Sequence, residues 1–314
     1  MLKIFPSSQQ GISDAAAEIR AGHLVAFATE TVYGLGADAL NDTAVASIYE
    51  AKGRPSFNPL IVHVPSMAAA RAYVDFNETA ETLAASFWPG ALTLVLPRKP
   101  DCPVSRLASA GLETLAIRIP AHKQALEFLK SCDRPLAAPS ANPSGSISPT
   151  TAQHVIDGLK DRIAGVLEGG TCPVGVESTV VGFDNGRPVL LRPGGITGEE
   201  LTAAVGPLLT HDADGTTPSP GMQQSHYAPH CPVRLNATDK RPHEAFLGFG
   251  RDQDHLADIN LSINGSLIEA TSHLFSALHL LDEMRVAAIA VGPIPETGLG
   301  VAINDRLRRA AAPR

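Results

Sequence analysis

Cysteine is scarce in this 314-residue chain, and its four copies are far apart: Cys102, Cys132, Cys172 and Cys231. No Cys-x-x-Cys pair and no Cys/His spacing of a zinc site occurs, which argues against a structural zinc and a disulfide framework. No apolar run approaches the length of a membrane span, and the N-terminal segment lacks the apolar core of a secretory signal. These absences predict a cytoplasmic protein that does not enter a membrane.

The common nucleotide-binding and hydrolase motifs are missing as well. There is no GxxxxGK[ST] phosphate loop, no GxGxxG after a strand, no HExxH and no GxSxG. A nucleotide enzyme with this sequence must therefore hold its phosphates with side chains and an irregular loop. The net charge of -7 makes the chain a poor general nucleic-acid binder, although a local basic patch can still bind ATP.

A hydrophobic content of 44% with both charge signs indicates a soluble globular protein, and 314 residues are enough for one large domain or two unequal ones. The order of the predicted elements favours an α/β protein of two unequal units. Residues 1–208 alternate short apolar strands with helices and form the larger unit. Residues 209–234 are rich in proline, lack periodicity and are predicted to be a linker or lid. Residues 235–314 give strands at 245–249 and 286–291 and helices near 267–285 and 300–311, which predicts a small α/β unit.

One polar stretch, Thr29–Gly36, directly follows the apolar strand-length run 24–28. A helix is then predicted from Asp42, its N-cap, to Ala51, and a Gly53/Pro55 corner ends it. Lys52 and Arg54 stand on that corner, where both can point at one anion. The alternative is an ordinary turn followed by a basic helix end that suits the helix dipole.

Two charged or titratable residues lie inside apolar strands. His63 falls in the strand 60–64, where a histidine is either a hydrogen-bonded core residue or part of a site. Arg118 falls in the strand 114–119 and needs an anionic partner. That partner is either a carboxylate elsewhere in the fold or the carboxylate of a substrate, and the sequence leaves both open.

The loop Ser140–Ser148 contains four serines, one asparagine and a proline, and cannot collapse into helix or sheet. Such a loop is either an ordinary connection or the lining of a nucleotide site. A helix is predicted to begin at Pro149 with Ser148 as its cap, and the first helix of the chain is predicted over Ser13–Arg20 with Ser13 as its cap.

Five separated segments, TETVYGLG, KGRPSFNPL, AIRIP, PSANPSG and ESTVV followed by LRPGG, resemble the YrdC-type domain of the L-threonylcarbamoyladenylate synthases. The resemblance covers about residues 10–205. SPGMQQSHYAP and the tail AVGPIPETGLGVAINDRLRRAA resemble the longer, two-domain members of that family. One departure is the run of Gln223, Gln224 and Ser225 after SPGM, where many relatives carry basic or aromatic residues.

The resemblance implies a twisted mixed sheet of the YrdC type around a concave positive pocket, joined to a small Rossmann-like C-terminal domain. It also implies that L-threonine, bicarbonate and ATP, with Mg²⁺ carried on the phosphates, give threonylcarbamoyl-AMP and pyrophosphate. A separate transferase complex would use the product to modify an adenosine beside the tRNA anticodon. Whether this chain itself touches tRNA, and which groups hold the metal, is left open.

The resemblance also assigns residues. The Lys-x-Arg and Ser-x-Asn tetrad falls on Lys52, Arg54, Ser140 and Asn142, which would carry the reaction and bind ATP. Five further residues would contact the nucleotide: Asn58, Thr114, Ser148, Arg192 and Tyr227. Four residues would bind threonine: Thr31, His63, Arg118 and Ser178.

Two other functions compete with this one. A carbamoyl transferase uses the same domain type, but its usual zinc-finger and acylphosphatase-like segments are absent here. An RNA-binding or regulatory protein would keep the pocket without the chemistry, and the intact tetrad and acidic balance count against it.

Overall fold

The computed structural model describes residues 2–55, 58–210 and 226–313. Helices in this part of the chain have side-chain caps at most N-termini and apolar faces toward the sheets. They are α1 (Gln9–Arg20), α2 (Asp42–Lys52), α3 (Met67–Arg71), α4 (Glu78–Phe87), α5 (Lys123–Cys132), α6 (Ala152–Leu159), α7 (Gly198–Val205), α8 (Leu267–Glu283) and α9 (Leu299–Ala311).

The strands are short, and those at the centre of the large sheet are buried along their whole length. They are β1 (Lys3–Phe5), β2 (Val25–Phe27), β3 (Gly34–Asp38), β4 (Ile61–His63), β5 (Leu92–Pro97), β6 (Thr114–Arg118), β7 (Leu136–Ala137), β8 (Gly165–Leu167), β9 (Thr179–Asp184), β10 (Arg187–Arg192), β11 (Leu209–Thr210), β12 (Val233–Arg234), β13 (Glu244–Gly248), β14 (Ile259–Asn260) and β15 (Ala288–Val291).

The larger unit is built on one mixed sheet in the order β1-β8-β2-β3-β7-β4-β6-β5-β9-β10-β11. Strands β4 and β6 are parallel with His63 opposite Arg118, while β3 and β7 are antiparallel. This confirms the predicted mixed α/β sheet. The register brings the two polar side chains predicted inside apolar strands to the same edge of the sheet.

The smaller unit has a parallel sheet in the order β12-β15-β13-β14, with α8 and α9 packed against it. Its core includes Leu274, Phe275 and Ile303, and it continues into the larger unit through Val32 and Val176. The two units therefore share buried apolar surface, which fixes their contact.

Three predicted helix starts were wrong. α1 begins at Gln9 with Ser8 as its cap, α2 is capped by Asn41 rather than Asp42, and α6 begins at Ala152 with Thr151 as its cap. In each case a nearby Ser, Asn or Thr accepts a hydrogen bond from the backbone amide at N2 or N3. Several residues near each helix start have side chains that can cap a helix, so the sequence does not distinguish them. The polar stretch after β2 includes the start of a strand that the sequence did not predict, since β3 begins at Gly34.

The predicted linker begins and ends inside strands: Leu209–Thr210 pairs with β10 in the large sheet, and Val233–Arg234 pairs with β15 in the small one. Most of it, residues 211–225, lies outside the described residues, so the lid stays a prediction. No helix in the described part of the chain is both long enough and apolar enough to cross a membrane.

Candidate active site

A cavity lies at the sheet edge where β4 and β6 end, against the loop after β2 and the loop after β7. Eight of the residues predicted for the site line it. They are Thr31, Arg54, His63, Arg118, Ser140, Ser178, Arg192 and Tyr227. Segments far apart in sequence therefore meet at one place, as the resemblance predicts.

Backbone pairing joins two of those segments. Leu35 N donates to Pro139 O at 2.7 Å, Ala141 N donates to Tyr33 O at 2.8 Å, and Tyr33 N donates to Pro149 O at 2.9 Å. The loop predicted from its prolines and serines is therefore held against Tyr33–Leu35 at its two ends. Because the backbone groups of Pro139, Ala141 and Pro149 are paired there, the positions at which the loop begins and ends are fixed.

Arg118 has a carboxylate partner within the fold. Its Nη2 lies 2.6 Å from Oε1 of Glu30, its Nη1 donates to the Thr31 hydroxyl at 2.9 Å, and its Nε donates to Gly90 O at 3.1 Å. Both charged side chains are buried. Of the two partners left open by the sequence, the protein carboxylate is present, and Arg118 also lines the cavity, where a second anion can reach it.

His63 is buried at the cavity wall, with Nδ1 3.3 Å from Ile61 O and its ring edge-on to Phe27. Burial, reinforced by the nearby Arg118, lowers the pKa of His63 to about 3. The imidazole is therefore neutral at physiological pH. A neutral ring beside Arg118 can accept or donate one hydrogen bond to a substrate without adding charge.

Ser178 and Arg192 also line the cavity. The Ser178 hydroxyl lies 2.8 Å from that of Thr93, and Arg192 Nη2 donates to Ser178 O at 2.8 Å. Burial lowers the pKa of Arg192 from its usual value, although the group stays cationic at neutral pH.

Lys52 differs from the prediction in how it meets the other members of the tetrad. Its Nζ donates to Ser140 O and Asn142 O, each at 2.5 Å, and approaches Asn142 Oδ1 at 3.5 Å. The side chain is 3% exposed and lies behind the cavity-lining residues. Burial, followed by repulsion from Arg54, lowers the pKa of Lys52 well below its usual value. In this structure the ammonium fixes the loop from behind.

Asn142 also holds the 140–148 loop in place: its Nδ2 donates to Ser146 O at 2.7 Å and to Pro143 O at 3.1 Å. The tetrad members Lys52, Ser140 and Asn142 are thus in direct contact, as predicted. The side-chain amide itself stabilises the loop turn rather than facing the cavity.

Arg54 lines the cavity from the corner after α2, with Nη2 donating to Pro59 O at 3.1 Å and Nε to Asn58 O at 3.3 Å. Burial lowers the pKa of Arg54 to about 10. The Asn58 side-chain nitrogen is buried and has no partner among the described residues. Asn58 does not line the cavity, so its contact with a nucleotide stays a prediction.

Like Lys52, Asn58 and Asn142, two further residues predicted to contact the nucleotide do not line the cavity. Ser148 is buried, and its hydroxyl donates to Oε1 of Glu177 at 2.5 Å. Thr114 begins β6 opposite Pro97, four residues and roughly 13 Å along the strand from Arg118. Contact of either residue with a nucleotide stays a prediction.

The sequence reasoning missed three residues of the site. Glu177 is the one carboxylate among the described residues that line the cavity, and it accepts from Arg306 of α9 at 2.7 Å. His226 precedes Tyr227 at the cavity, and burial lowers its pKa to about 3. Glu30 holds Arg118. The motif letters contain all three residues, but only the folded chain shows what they face.

The charge balance of the lining favours an anionic ligand: three arginines face one carboxylate, and both oxygens of that carboxylate already accept hydrogen bonds. Tyr227 closes one side, with its ring tilted against Phe275 of the smaller unit. Cations and hydroxyls around a mostly enclosed space can bind a carboxylate and phosphates and neutralise charge as it develops.

Comparison with known proteins gives a consistent result. Residues 17–194 match the family described as Telomere recombination (Sua5, YciO and YrdC), and residues 196–312 match the family described as Threonylcarbamoyl-AMP synthase, C-terminal domain. The Threonylcarbamoyl-AMP synthase of Bacillus subtilis is 44% identical over 96% of this chain and 93% of its own length. That of Pyrococcus abyssi is 41% identical over 96% and 94%.

Among solved structures, P. abyssi Sua5 complexed with L-threonine matches 99% of this chain and 97% of its own, with a TM-score of 0.90 and 39% identity. E. coli YciO matches 62% of this chain and 96% of its own with a TM-score of 0.56 at 21% identity, which supports the fold of the larger unit alone.

Proposed function

Because this chain belongs to the threonylcarbamoyl-AMP synthase family, in its two-domain form, we propose that its cavity joins L-threonine, bicarbonate and ATP. Its function is the synthesis of threonylcarbamoyl-AMP, a nucleotidyl transfer in the service of tRNA modification. The observation that carries the proposal is the meeting of Arg118, Arg54 and Arg192 at one cavity that hydroxyl-bearing residues also line.

Threonine would bind at the Arg118 end. Glu30 and Thr31 hold two of the guanidinium nitrogens and leave the group facing the cavity, where it would pair with the amino-acid carboxylate. Neutral His63 and the Ser178 hydroxyl would receive the amine and hydroxyl side of the substrate. The P. abyssi relative was solved with L-threonine, which supports an amino-acid site in this fold.

ATP would bind between the 140–148 loop, Arg54 and Arg192, with Tyr227 over it. Contact of Asn58 with the nucleotide is proposed on the family resemblance, since Asn58 is buried and does not line the cavity. Lys52 would act here by holding Ser140 and Asn142 in place. Contacts of Ser148 and Thr114 with the nucleotide are proposed on the family resemblance alone.

The chemistry needs little from the protein beyond positioning and charge. The threonine amine adds to CO₂ derived from bicarbonate, an N–C bond forms and the amine proton leaves to solvent. A carbamate oxygen then attacks the α-phosphorus of ATP, the bond to the β-phosphate oxygen breaks, and pyrophosphate departs. Holding the reactants in line can contribute about 7–11 kcal/mol, and arginines at the developing charge a few kcal/mol each.

Mg²⁺ would supply charge neutralisation on the phosphates. The described lining does not form a magnesium site of its own, because Mg²⁺ prefers carboxylate oxygens and Glu177 is already bonded through both of its oxygens. We therefore propose that the ion arrives with ATP. We also propose that the enzyme works in the cytoplasm and that its product passes to a separate tRNA threonylcarbamoyl transferase complex.

Threonine-dependent release of pyrophosphate from ATP, with bicarbonate present, tests the proposal, and mass spectrometry of the product identifies threonylcarbamoyl-AMP. Release that does not depend on threonine would contradict the amino-acid role. An RNA-binding protein without synthase activity would show no release, and a carbamoyl transferase, which works on carbamoyl-AMP, would show none that depends on threonine.

A further inference from the structure

Helix α9 of the smaller unit inserts one side chain into the wall of the catalytic cavity. Arg306 is 0% exposed; its Nε donates to Glu177 Oε2 at 2.7 Å and its Nη1 to Pro193 O at 2.9 Å. The guanidinium carbon also lies 5.4 Å from the ring centre of Tyr227. A single residue from the C-terminal unit therefore touches the cavity wall and the end of the linker at the same time.

Each of these contacts joins Arg306 to a residue that lines the proposed ATP site or is adjacent in sequence to one that does. Glu177 and Tyr227 line the cavity themselves, and Pro193 follows the lining residue Arg192. The second oxygen of Glu177 accepts the Ser148 hydroxyl at 2.5 Å, at the end of the 140–148 loop. The Arg306 guanidinium thus contacts Tyr227 directly and Ser148 through Glu177, and ATP is proposed to bind between these two segments.

Charge gives this contact a second consequence. Burial alone would raise the pKa of Glu177, but the cations Arg306 and Arg192 and the Ser148 hydrogen bond lower it to about 2. Glu177 is therefore an anion on the wall of a cavity proposed to hold a triphosphate. The charged and titratable groups around this contact are Arg306 from α9, Arg192 from β10, Lys52 from α2, and His226 and Tyr227. A second carboxylate, Asp305, accepts from Arg306 Nη1 at 2.6 Å and also from Arg309 Nε at 3.1 Å, so it keeps a cationic partner when Arg306 is replaced.

We propose that Arg306 is a positioning residue for the reaction, through which the C-terminal unit neutralises Glu177 and fixes Ser148 and Tyr227 for ATP. This inference rests on the proposed function, since it takes the nucleotide to bind beside Glu177. Without the guanidinium, Glu177 would keep Arg192 and the Ser148 hydroxyl but lose its ion-pair partner, so its charge toward the phosphates would be less compensated, and buried charges that lose a partner are strongly unfavourable.

The test is calorimetric titration of the full-length chain with ATP and with threonine, together with steady-state kinetics. In Arg306→Met we expect ATP to bind at least about 10-fold more weakly and threonine to change less than about 3-fold. Removing the charge of the former partner in Arg306→Met/Glu177→Gln should restore ATP affinity to within about 3-fold of the starting protein. Arg306→Lys should be intermediate, because an ammonium can pair with Glu177 but cannot also span Pro193 and stack on Tyr227.

A pH series separates positioning from simple loss of stability. In Arg306→Met, Glu177 regains the ability to take up a proton, so ATP should bind progressively tighter from pH 8 to pH 6 relative to the unchanged protein. The double variant should lose that extra pH dependence. Arg308→Met is the matched control, since Arg308 stands on the same helix, is exposed and pairs with Glu296 away from the cavity.

An ATP affinity of folded Arg306→Met within about 2-fold of the unchanged protein would overturn the inference, as would a double variant as weak as the single one. If Arg306→Met does not fold, Arg306→Lys and the double variant decide by the same criteria. ATP affinity is measured without turnover, so it does not depend on pyrophosphate release. An unchanged protein that binds ATP but releases no pyrophosphate would contradict the proposed function, and the ATP affinities of the Arg306 variants could still be compared. No ATP binding at all would overturn both.

Discussion

The guanidinium of Arg118 and the carboxylate of Glu30 form a buried ion pair, with Nη2 2.6 Å from Oε1 across 88 residues of sequence. The pair leaves Arg118 in the cavity wall, and its other nitrogens are held by Thr31 and by Gly90 O. A fixed guanidinium loses little freedom when it binds a carboxylate, so in the proposed function Glu30 would prepare Arg118 for the threonine carboxylate.

Replacing Arg118 by lysine should weaken threonine far more than ATP. One ammonium cannot keep the bonds to Glu30, Thr31 and Gly90 and also grip a substrate carboxylate. Loss of one charge-assisted hydrogen bond, about 1.5–3 kcal/mol, predicts a threonine KM about 10- to 100-fold higher with the ATP KM within about 3-fold. Pyrophosphate release at varied threonine and ATP measures both.

Arg98→Lys is the control for this variant. Arg98 is also a buried arginine on a β-strand end, but it bonds Ser109 and the carbonyl of Val104 outside the cavity. Its replacement should change stability and leave the threonine KM of the folded protein unchanged. Equal effects of Arg118→Lys on threonine and ATP would count against the carboxylate role.

Replacing Lys52 by methionine should disable the enzyme without unfolding it. The variant keeps most of the side-chain volume but loses the three donors that hold Ser140 and Asn142. If the displaced loop costs a few kcal/mol of transition-state stabilisation, kcat/KM for ATP should be at least about 100-fold lower. Threonine-dependent pyrophosphate release measures it. The control is Lys130→Met, at an exposed position of α5, which should have near-normal activity. Near-normal activity of Lys52→Met would contradict the prediction and show that the loop keeps its shape without the ammonium.

The family resemblance predicted eight of the residues that line the cavity, because its motifs fix which polar residues of distant segments belong to one site. The partners of those residues were not predictable. Nothing local in the sequence links Arg118 to Glu30, and Arg306 meets Glu177 across 129 residues and between two units. Both pairs depend on strand order and domain contact, which sequence patterns do not encode.

Local chemistry also left ambiguities that the fold resolves. Lys52 was predicted to aim at an anion from an irregular corner, yet α2 continues to Lys52 and turns its ammonium toward loop carbonyls. The helix caps were displaced by one to five residues because Ser, Thr and Asn stand close together near each start, and tertiary packing selects among them.

Magnesium should be required with ATP and bind poorly without it. The groups of His, Cys, Asp and Glu in the described residues include no cluster of three able to hold a metal. We expect EDTA to abolish pyrophosphate release and excess Mg²⁺ to restore it. The melting temperature of the protein alone should not change on adding Mg²⁺ or EDTA. A clear stabilisation by Mg²⁺ in the absence of nucleotide would contradict delivery of the ion by ATP.

Mild acid should destabilise the contact between the two units through His279. Its Nε2 lies 3.2 Å from Ser148 O and its ring stacks on His154 with centroids 3.9 Å apart. Burial, reinforced by His154, lowers the pKa of His279 to about 4, below the value of about 6.5 in an unfolded chain. Between these values the unfolded state binds more protons, so stability falls as pH falls, and this group alone should cost about 2 kcal/mol between pH 7.5 and pH 5. Urea unfolding at the two pH values measures the free energy of unfolding that is lost on acidification. In His279→Gln, whose amide can still donate to Ser148 O, that loss should be smaller by about this amount.

The control is His255→Gln, at an exposed position, which should keep the full loss of unfolding free energy. An unchanged loss in His279→Gln would show that protonation of His279 does not govern the contact.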